Sequence, residues 1–193
     1  MRRSNKERTD ATRGALLDAA RELFTDKGYA DTATPEIVAA AGVTRGALYH
    51  HFEDKRQVFR AVIEREADRL AEDIRSAAGD ATGARAAMIA GTSAYFLAMA
   101  VPGRTRLLLI DGPAVLGFDV MRAIDLAGAE ASLREGVAEL LHNDGSAGDR
   151  DVEAAASLLS AAFDRAALEI DAGGDRAVYE AAVVKLIDGL TRR

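Results

Sequence analysis

Residues 32–55 read T-A-T-P-E-I-V-A-A-A-G-V-T-R-G-A-L-Y-H-H-F-E-D-K, and this stretch decides the fold. Pro35 suits the first position of a helix, where its missing N–H would be unpaired anyway, and Thr34 before it is a natural cap. Ile37, Val38 and Ala41 make one apolar face at helical spacing. Gly42 stands where a helix needs a left-handed residue just past its end. Val43 plugs the junction. Thr44 caps a second helix, Arg45 to His51, whose inner side is Ala47 and Leu48, with Phe52 just beyond it. Both helices are too short to be stable alone, so they are expected to fold around the glycine as a helix-turn-helix.

The outer side of the second helix carries Arg45, Gly46, Tyr49 and His50. An arginine here can make a bidentate contact with a guanine edge in the major groove. Gly46 lets the backbone approach closely. Tyr49 and His50 can hold phosphate oxygens, contacts that position without specifying. Asp54 caps the next helix, and Gln57 three residues on completes a capping-box pattern. Lys55 at that helix start is expected to bind phosphate. Double-stranded DNA is therefore the expected partner, with Thr34, Thr44, Arg45, Gly46, Tyr49, His50 and Lys55 as the contact set.

The block resembles the DNA-binding domain of the TetR family of transcriptional regulators. The resemblance rests on Ala19-Ala20-Arg21-Glu22-Leu23-Phe24, Lys27-Gly28-Tyr29, Thr32, Ile37, Ala41-Gly42-Val43-Thr44, Gly46-Ala47-Leu48-Tyr49-His50-His51-Phe52 and Lys55. It covers about residues 10 to 60. Pro35 departs from it, standing where many members carry a polar or basic residue that touches DNA, and is expected to make no base-edge hydrogen bond. The resemblance implies a cytoplasmic, ligand-responsive regulator, most often a repressor, that binds a roughly palindromic operator as a homodimer. Two other readings stay open: an activator or constitutive DNA binder without a ligand, and a ligand-sequestering or enzymatic body with a vestigial head.

Charge is distributed as a DNA-binding head on an acidic body would have it. The net charge is −6, but residues 1–60 carry 11 basic and 9 acidic residues, against 14 and 22 in residues 61–193. There is no cysteine, which fits a reducing compartment and excludes disulfides and cysteine chemistry. The basic start, Met1 to Lys6, has no apolar run behind it, so no secretory leader is expected. The longest uncharged run, 86–103, contains Gly91, Pro102 and polar residues and reads as a core helix, not a membrane span.

Catalysis finds little support. His50 and His51 are neighbours on a helix and make a poor metal pair, and His142 reads as a favourable helix C-terminal residue. Gly112 to Gly117 has the glycine spacing of a phosphate loop, but it follows no strand and Phe118-Asp119 replaces Lys-Ser/Thr. No cofactor, metal or enzymatic activity is expected.

The remaining chain is read as helices throughout. Helix 1 is expected from about Asp10 to Lys27, ended by Gly28. A long helix from Asp54 to about Ala78 serves as a connecting rod. A central helix runs over 84–101 and a short one over 104–110, followed by a break at Asp111-Gly112-Pro113. Further helices are expected over 118–126, 130–142, 151–172 and 175–191, with an exposed loop over 143–148. The fold class is all-α, with residues 1–54 as the DNA-binding head and 55–193 as a ligand-binding and dimerisation body. The resemblance implies a ligand pocket in that body. The residues expected to line it are Thr92, Tyr95, Phe96, Met99, Leu107, Leu108, Asp111, Phe118, Met121, Arg122, Asp125, Phe163 and Asp164, although Asp111 reads more readily as a cap. The last two helices are apolar on more than one side (Leu158, Leu159, Phe163 and Ile170; Val178, Val183, Leu186, Ile187 and Leu190), which a two-fold partner would cover.

Overall fold

The computed structural model describes residues 5–79, 81–143 and 148–190, and among these no strand occurs. The elements are α1 (Asn5–Asp31), α2 (Thr34–Ala40), α3 (Arg45–His51), α4 (Lys55–Gly79), α5 (Ala84–Met99), a π turn (Arg106–Asp111), α6 (Gly112–Leu116), α7 (Phe118–Ala127), α8 (Ala129–Asn143), α9 (Asp149–Asp171) and α10 (Arg176–Leu190). The expected first four residues, most of the 143–148 loop, the end of the last helix and the His142 side chain lie outside the described residues.

Local sequence explains the head. α2 ends in a Schellman turn: Gly42 N–H donates to Ala39 O and Val43 N–H to Val38 O, at 3.2 Å each. Gly42 has φ 65°, a conformation that β-carbon-bearing residues adopt at a cost. The start of α2 differs from expectation. Ala33 is its cap residue and Thr34 is already helical. The carboxylate of Glu36 reaches back to accept from Ala33 N–H at 2.9 Å, so Glu36 supplies the capping oxygen that Thr34 was expected to give. Thr44 does cap α3, accepting from Ala47 N–H at 3.2 Å. Asp54 caps α4 by accepting from Gln57 N–H at 2.7 Å, and Gln57 returns the bond to Glu53 N–H, one residue earlier than a capping box would have it.

α1 is longer than expected, but Gly28 (φ 83°) still breaks it before a last turn to Asp31. Phe24 of α1, Tyr29 after the break and Phe59 of α4 meet edge to face or tilted, with centroids 5.0–5.8 Å apart. This aromatic knot, with Leu16, Leu17, Ile37, Leu48 and Phe52, fixes the head on the first turns of α4.

α5 is central, packing against α4, α8 and α10. α9 and α10 fold back on each other through Gly173, again a Schellman turn, with Gly173 N–H bonded to Ile170 O and Gly174 N–H to Glu169 O. The expected break at Asp111-Gly112-Pro113 is not there. The chain stays helical through a π turn, in which Gly112 N–H reaches back five residues to Leu107 O. Pro113 then enters in the first two positions of α6, where a missing N–H is tolerated. Asp111 caps nothing and pairs instead with Arg106 at 3.2 Å.

Candidate nucleic-acid interface and body cavity

On α3, Leu48 is fully buried while Arg45, Gly46, Tyr49 and His50 are exposed. The Arg45 guanidinium lies 5.5 Å from the Tyr49 ring centroid, so the ring braces the arginine along the outer face of the helix. His50 and His51 stand edge to face. Burial lowers the pKa of His51, with the charges of His50 and Arg13 acting in the same direction, which favours a neutral ring at the inner edge of the helix. Thr34 and Thr44 sit at the two helix starts. Pro35 is exposed, with a ring that offers no donor.

Lys55 corrects the expected contact set. Its ammonium is turned inward, donating to Tyr29 O at 2.8 Å, Thr32 O at 2.9 Å and Ala30 O at 3.4 Å, and lying 4.2 Å from the Tyr29 ring centroid. Three carbonyls and an aromatic face occupy its three donors. Lys55 thus ties the α1–α2 connection to the start of α4, with its ammonium turned inward and not presented beside Arg45 and His50.

The body holds a cavity of about 480 Å³, open to solvent on one side, between α4, α5, the π turn, α7, α8 and α9. Of the residues expected to line it, Thr92, Tyr95, Met99, Leu108, Asp125, Phe163 and Asp164 do so. Phe96 and Leu107 are core residues outside the lining, and Met121 packs on the Cα of Gly112. Asp111 faces Arg106 at the head side, and Arg122 is exposed. Phe118 is 72% exposed at the start of α7 and lies outside the lining of this cavity. The lining residues that sequence reasoning missed come mainly from α8 (Glu130, Leu133, Glu139) and the far end of α4 (Leu70, Ile74, Arg75). On an amphipathic helix such glutamates read as a solvated face, and no pattern in the sequence marks them otherwise.

Acidic groups gather at one wall. Tyr95, almost fully buried, donates its hydroxyl to Asp164 Oδ1 at 3.0 Å. Burial raises the pKa of Asp164 and Glu130 adds to it, while the Tyr95 hydrogen bond opposes them. Burial pushes Asp125 up to about 6, helped by the charges of Asp164 and Glu130. The phenol of Tyr95 is held well above its ordinary range by burial, by Asp164 and by the charge of Asp125.

This has a consequence for stability. The folded pKa of Asp125 lies above its unfolded value, so the fold holds the proton more tightly and loses stability as pH rises through about 6. Asp125→Asn is therefore expected to stabilise the protein at pH 7.5 by about 1–2 kcal/mol, after allowing for solvent in the cavity. The gain should vanish near pH 4. Urea unfolding at the two pH values checks it, and an equal effect at both would contradict the ionisation argument.

A helix-turn-helix head seated on a bundle with a cavity between its helices defines a class of ligand-linked regulatory folds, and comparison with known proteins is specific about which. The family description "Bacterial regulatory proteins, tetR family" matches residues 16–62, and "Tetracyclin repressor-like, C-terminal domain" matches residues 85–193. The chain belongs to the TetR family. A crystal structure of a TetR-family regulator from Pectobacterium atrosepticum is 31% identical, covers 98% of this chain and 96% of its own, and superposes with a TM-score of 0.72. FadR from Bacillus subtilis, solved in complex with stearoyl-CoA, shares the fold at 18% identity, with a TM-score of 0.75 over 90% of this chain and 96% of its own. The transcriptional activator FasR of Mycolicibacterium smegmatis is 39% identical over 95 residues, which is 49% of this chain and 43% of FasR. The matched segment thus spans less than half the length of such curated relatives. Among the described residues no helix is long and apolar enough to cross a membrane, and no group of residues has the makings of a metal site.

Proposed function

We propose that this chain is a DNA-binding transcriptional regulator, a repressor that binds a palindromic operator as a homodimer and leaves it when a small molecule enters the body. The observation that carries the reading is α3. Its inner residue is buried, its start is capped, and its outer face presents Arg45, Gly46, Tyr49 and His50 to solvent, held by the Arg45–Tyr49 brace and the edge-to-face contact of His50 with His51. Arg45 reads base edges. Thr34, Thr44, Tyr49 and His50 hold phosphates. No residue is arranged for catalysis in this reading, and the ligand is a signal and not a substrate.

The direct test is Arg45→Ala. It is expected to lose about 1–3 kcal/mol of operator affinity and to relax sequence preference. Fluorescence anisotropy with operator and scrambled duplexes at fixed salt measures both quantities. Unchanged affinity for the best operator sinks the assignment of α3. The sign of regulation is where named relatives differ, FasR being an activator and BepR of Brucella suis a repressor. A promoter fusion read with and without the regulator separates the two.

Coupling would pass through α4. A helix of 25 residues is about 37 Å long, and α4 carries Asp54-capped head contacts at one end and the cavity residues Leu70, Ile74 and Ala78 at the other. Its first turn is also pinned to the body, since Arg56 donates to Val115 O at 3.3 Å and Leu116 O at 3.0 Å. A ligand that displaces Ile74 tilts α4 and changes the separation of the two recognition helices, which must match major grooves about 34–36 Å apart. Operator DNA must then weaken ligand binding by the factor by which ligand weakens DNA binding.

A further inference from the structure

The chemistry of the cavity wall restricts what the ligand can be. The charged residues on it are Asp125, Glu130, Glu135, Glu139 and Asp164, with a single arginine, Arg75. Arg75 is already bonded to Glu72 at 2.8 Å. Among the described residues no basic group pairs with Asp125, Glu130 or Asp164, and the partner of Asp164 is the neutral hydroxyl of Tyr95. Thr92, Ser132 and Ser160 add neutral polar groups, and the rest of the wall is mainly apolar, from Leu70, Ile74, Met88, Met99, Leu108 and Phe163. Glu135 and Glu139 are exposed at the rim, but Asp125, Glu130 and Asp164 are partly buried, and carboxylates held so without a counter-charge are costly; a cation relieves that cost where an anion adds to it. The rings of Tyr95 and Phe163, 5.1 Å apart and both on the wall, offer further negative faces.

We propose that the ligand of this cavity is a hydrophobic cation, an aromatic or branched amine or quaternary onium ion, with its charge between Asp125, Asp164 and Glu130 and its apolar body against Met88, Met99 and Leu108. The proposal rests on the reading of the body as a ligand-binding domain and names the ligand class. The charge on the wall comes from four helices: Asp125 on α7, Glu130, Glu135 and Glu139 on α8, Asp164 on α9 and Arg75 on α4, with the Tyr95 phenol of α5 facing them. A permanent cation favours the ionised form of Asp125, so binding releases a proton below about pH 6 and affinity rises with pH through that range.

The test uses the full chain and two ions of the same shape and opposite charge, tetraphenylphosphonium and tetraphenylborate, with neutral Nile red as a reporter of the cavity itself. Titration calorimetry is expected to show the phosphonium binding at least about tenfold tighter than the borate, since even at the effective dielectric of a protein surface each nearby charge acts with an energy above RT. Asp125→Asn and Asp164→Asn should each weaken the phosphonium about tenfold, with far-UV circular dichroism and a cooperative melting transition showing that each variant is folded. Borate binding equal to or tighter than phosphonium overturns the charge assignment, as does Nile red binding with neither ion. If neither ion nor Nile red binds to the folded protein, the reading of the body as a ligand domain fails, and the proposal with it.

Discussion

Replacing Glu66 by alanine is expected to cost about 3–5 kcal/mol of stability, because it removes the buried counter-charge of Arg21 and Arg104 and leaves Arg104 only the half-exposed Asp73 at 3.6 Å. Glu66 is wholly buried on α4. Its two carboxylate oxygens face Arg21 of α1 and Arg104 before the π turn, each at 3.0 Å, with Arg69 on the first oxygen at 3.0 Å. Arg104, itself buried, also donates to Ala98 O at 2.9 Å, and Arg21 donates to Pro102 O at 3.0 Å. One carboxylate therefore holds head, connecting helix and body together. Chemical unfolding should show the full loss in Glu66→Ala, and a loss below about 1 kcal/mol would place the junction's strength in apolar packing instead. Burial alone would push the Glu66 carboxyl up, but the guanidinium groups of Arg21 and Arg104 outweigh it and its pKa lies below the ordinary value. The sign follows: this stabilisation is present above the unfolded pKa and is lost as pH falls through the lower folded one. Arg104→Met in the Glu66→Met background should recover much of the loss, since apolar replacement of a buried pair is often neutral.

The second large effect concerns assembly. Leu158, Val178 and Leu186 are 74%, 62% and 51% exposed on the outer side of α9 and α10, while Leu159, Phe163, Val183 and Ile187 are buried on the inner side. The two-sided apolar character expected from the sequence is real, and nothing in the monomer covers the outer side. In the proposed homodimer this face meets its own copy. Leu158→Lys with Leu186→Lys places four lysines in that interface, because two-fold symmetry counts each substitution twice. Losing about 1.5–3 kcal/mol for each buried leucine, before any cost of desolvating lysine, should raise the dimer dissociation constant by at least about 1,000-fold. Sedimentation equilibrium at micromolar concentration should find wild type dimeric and the variant monomeric. A wild type that stays monomeric there removes the interface assignment.

What could be seen in the sequence was what local chemistry encodes. The turn at Gly42, the Thr44 and Asp54 caps and the stop at Gly173 depend on residues within five positions of one another, so spacing reveals them. Lys55 could not be read this way. Its partners are the backbone oxygens of Tyr29, Ala30 and Thr32, and carbonyls leave no mark in a side-chain pattern. Glu66 lies in the run Glu64-Arg65-Glu66, which looks like an exposed helix face until α1 and Arg104 are packed on it. The cavity was half legible for the same reason. Large apolar residues on α5 and α9 announced an interior, but whether Phe96 lines a space or fills it depends on the register of helices far apart in the chain. Phe118 misled outright, since an aromatic residue after a glycine reads as core and this one faces solvent.

The π turn at Arg106–Asp111 holds one residue more than an α-helical turn of the same reach. In genetic terms it is what a single inserted codon leaves behind when the helix absorbs the extra residue instead of passing the shift downstream. Ile110, half exposed, is the member of the turn that the core needs least. The segment that joins the head's arginines to the ligand-side helices is therefore the place where the reading frame of side chains around the helix can change by one residue while α7 to α10 keep their faces. Removing Ile110 is thus expected to be tolerated better than a one-residue deletion in α3 or in the cavity-lining turns of α5.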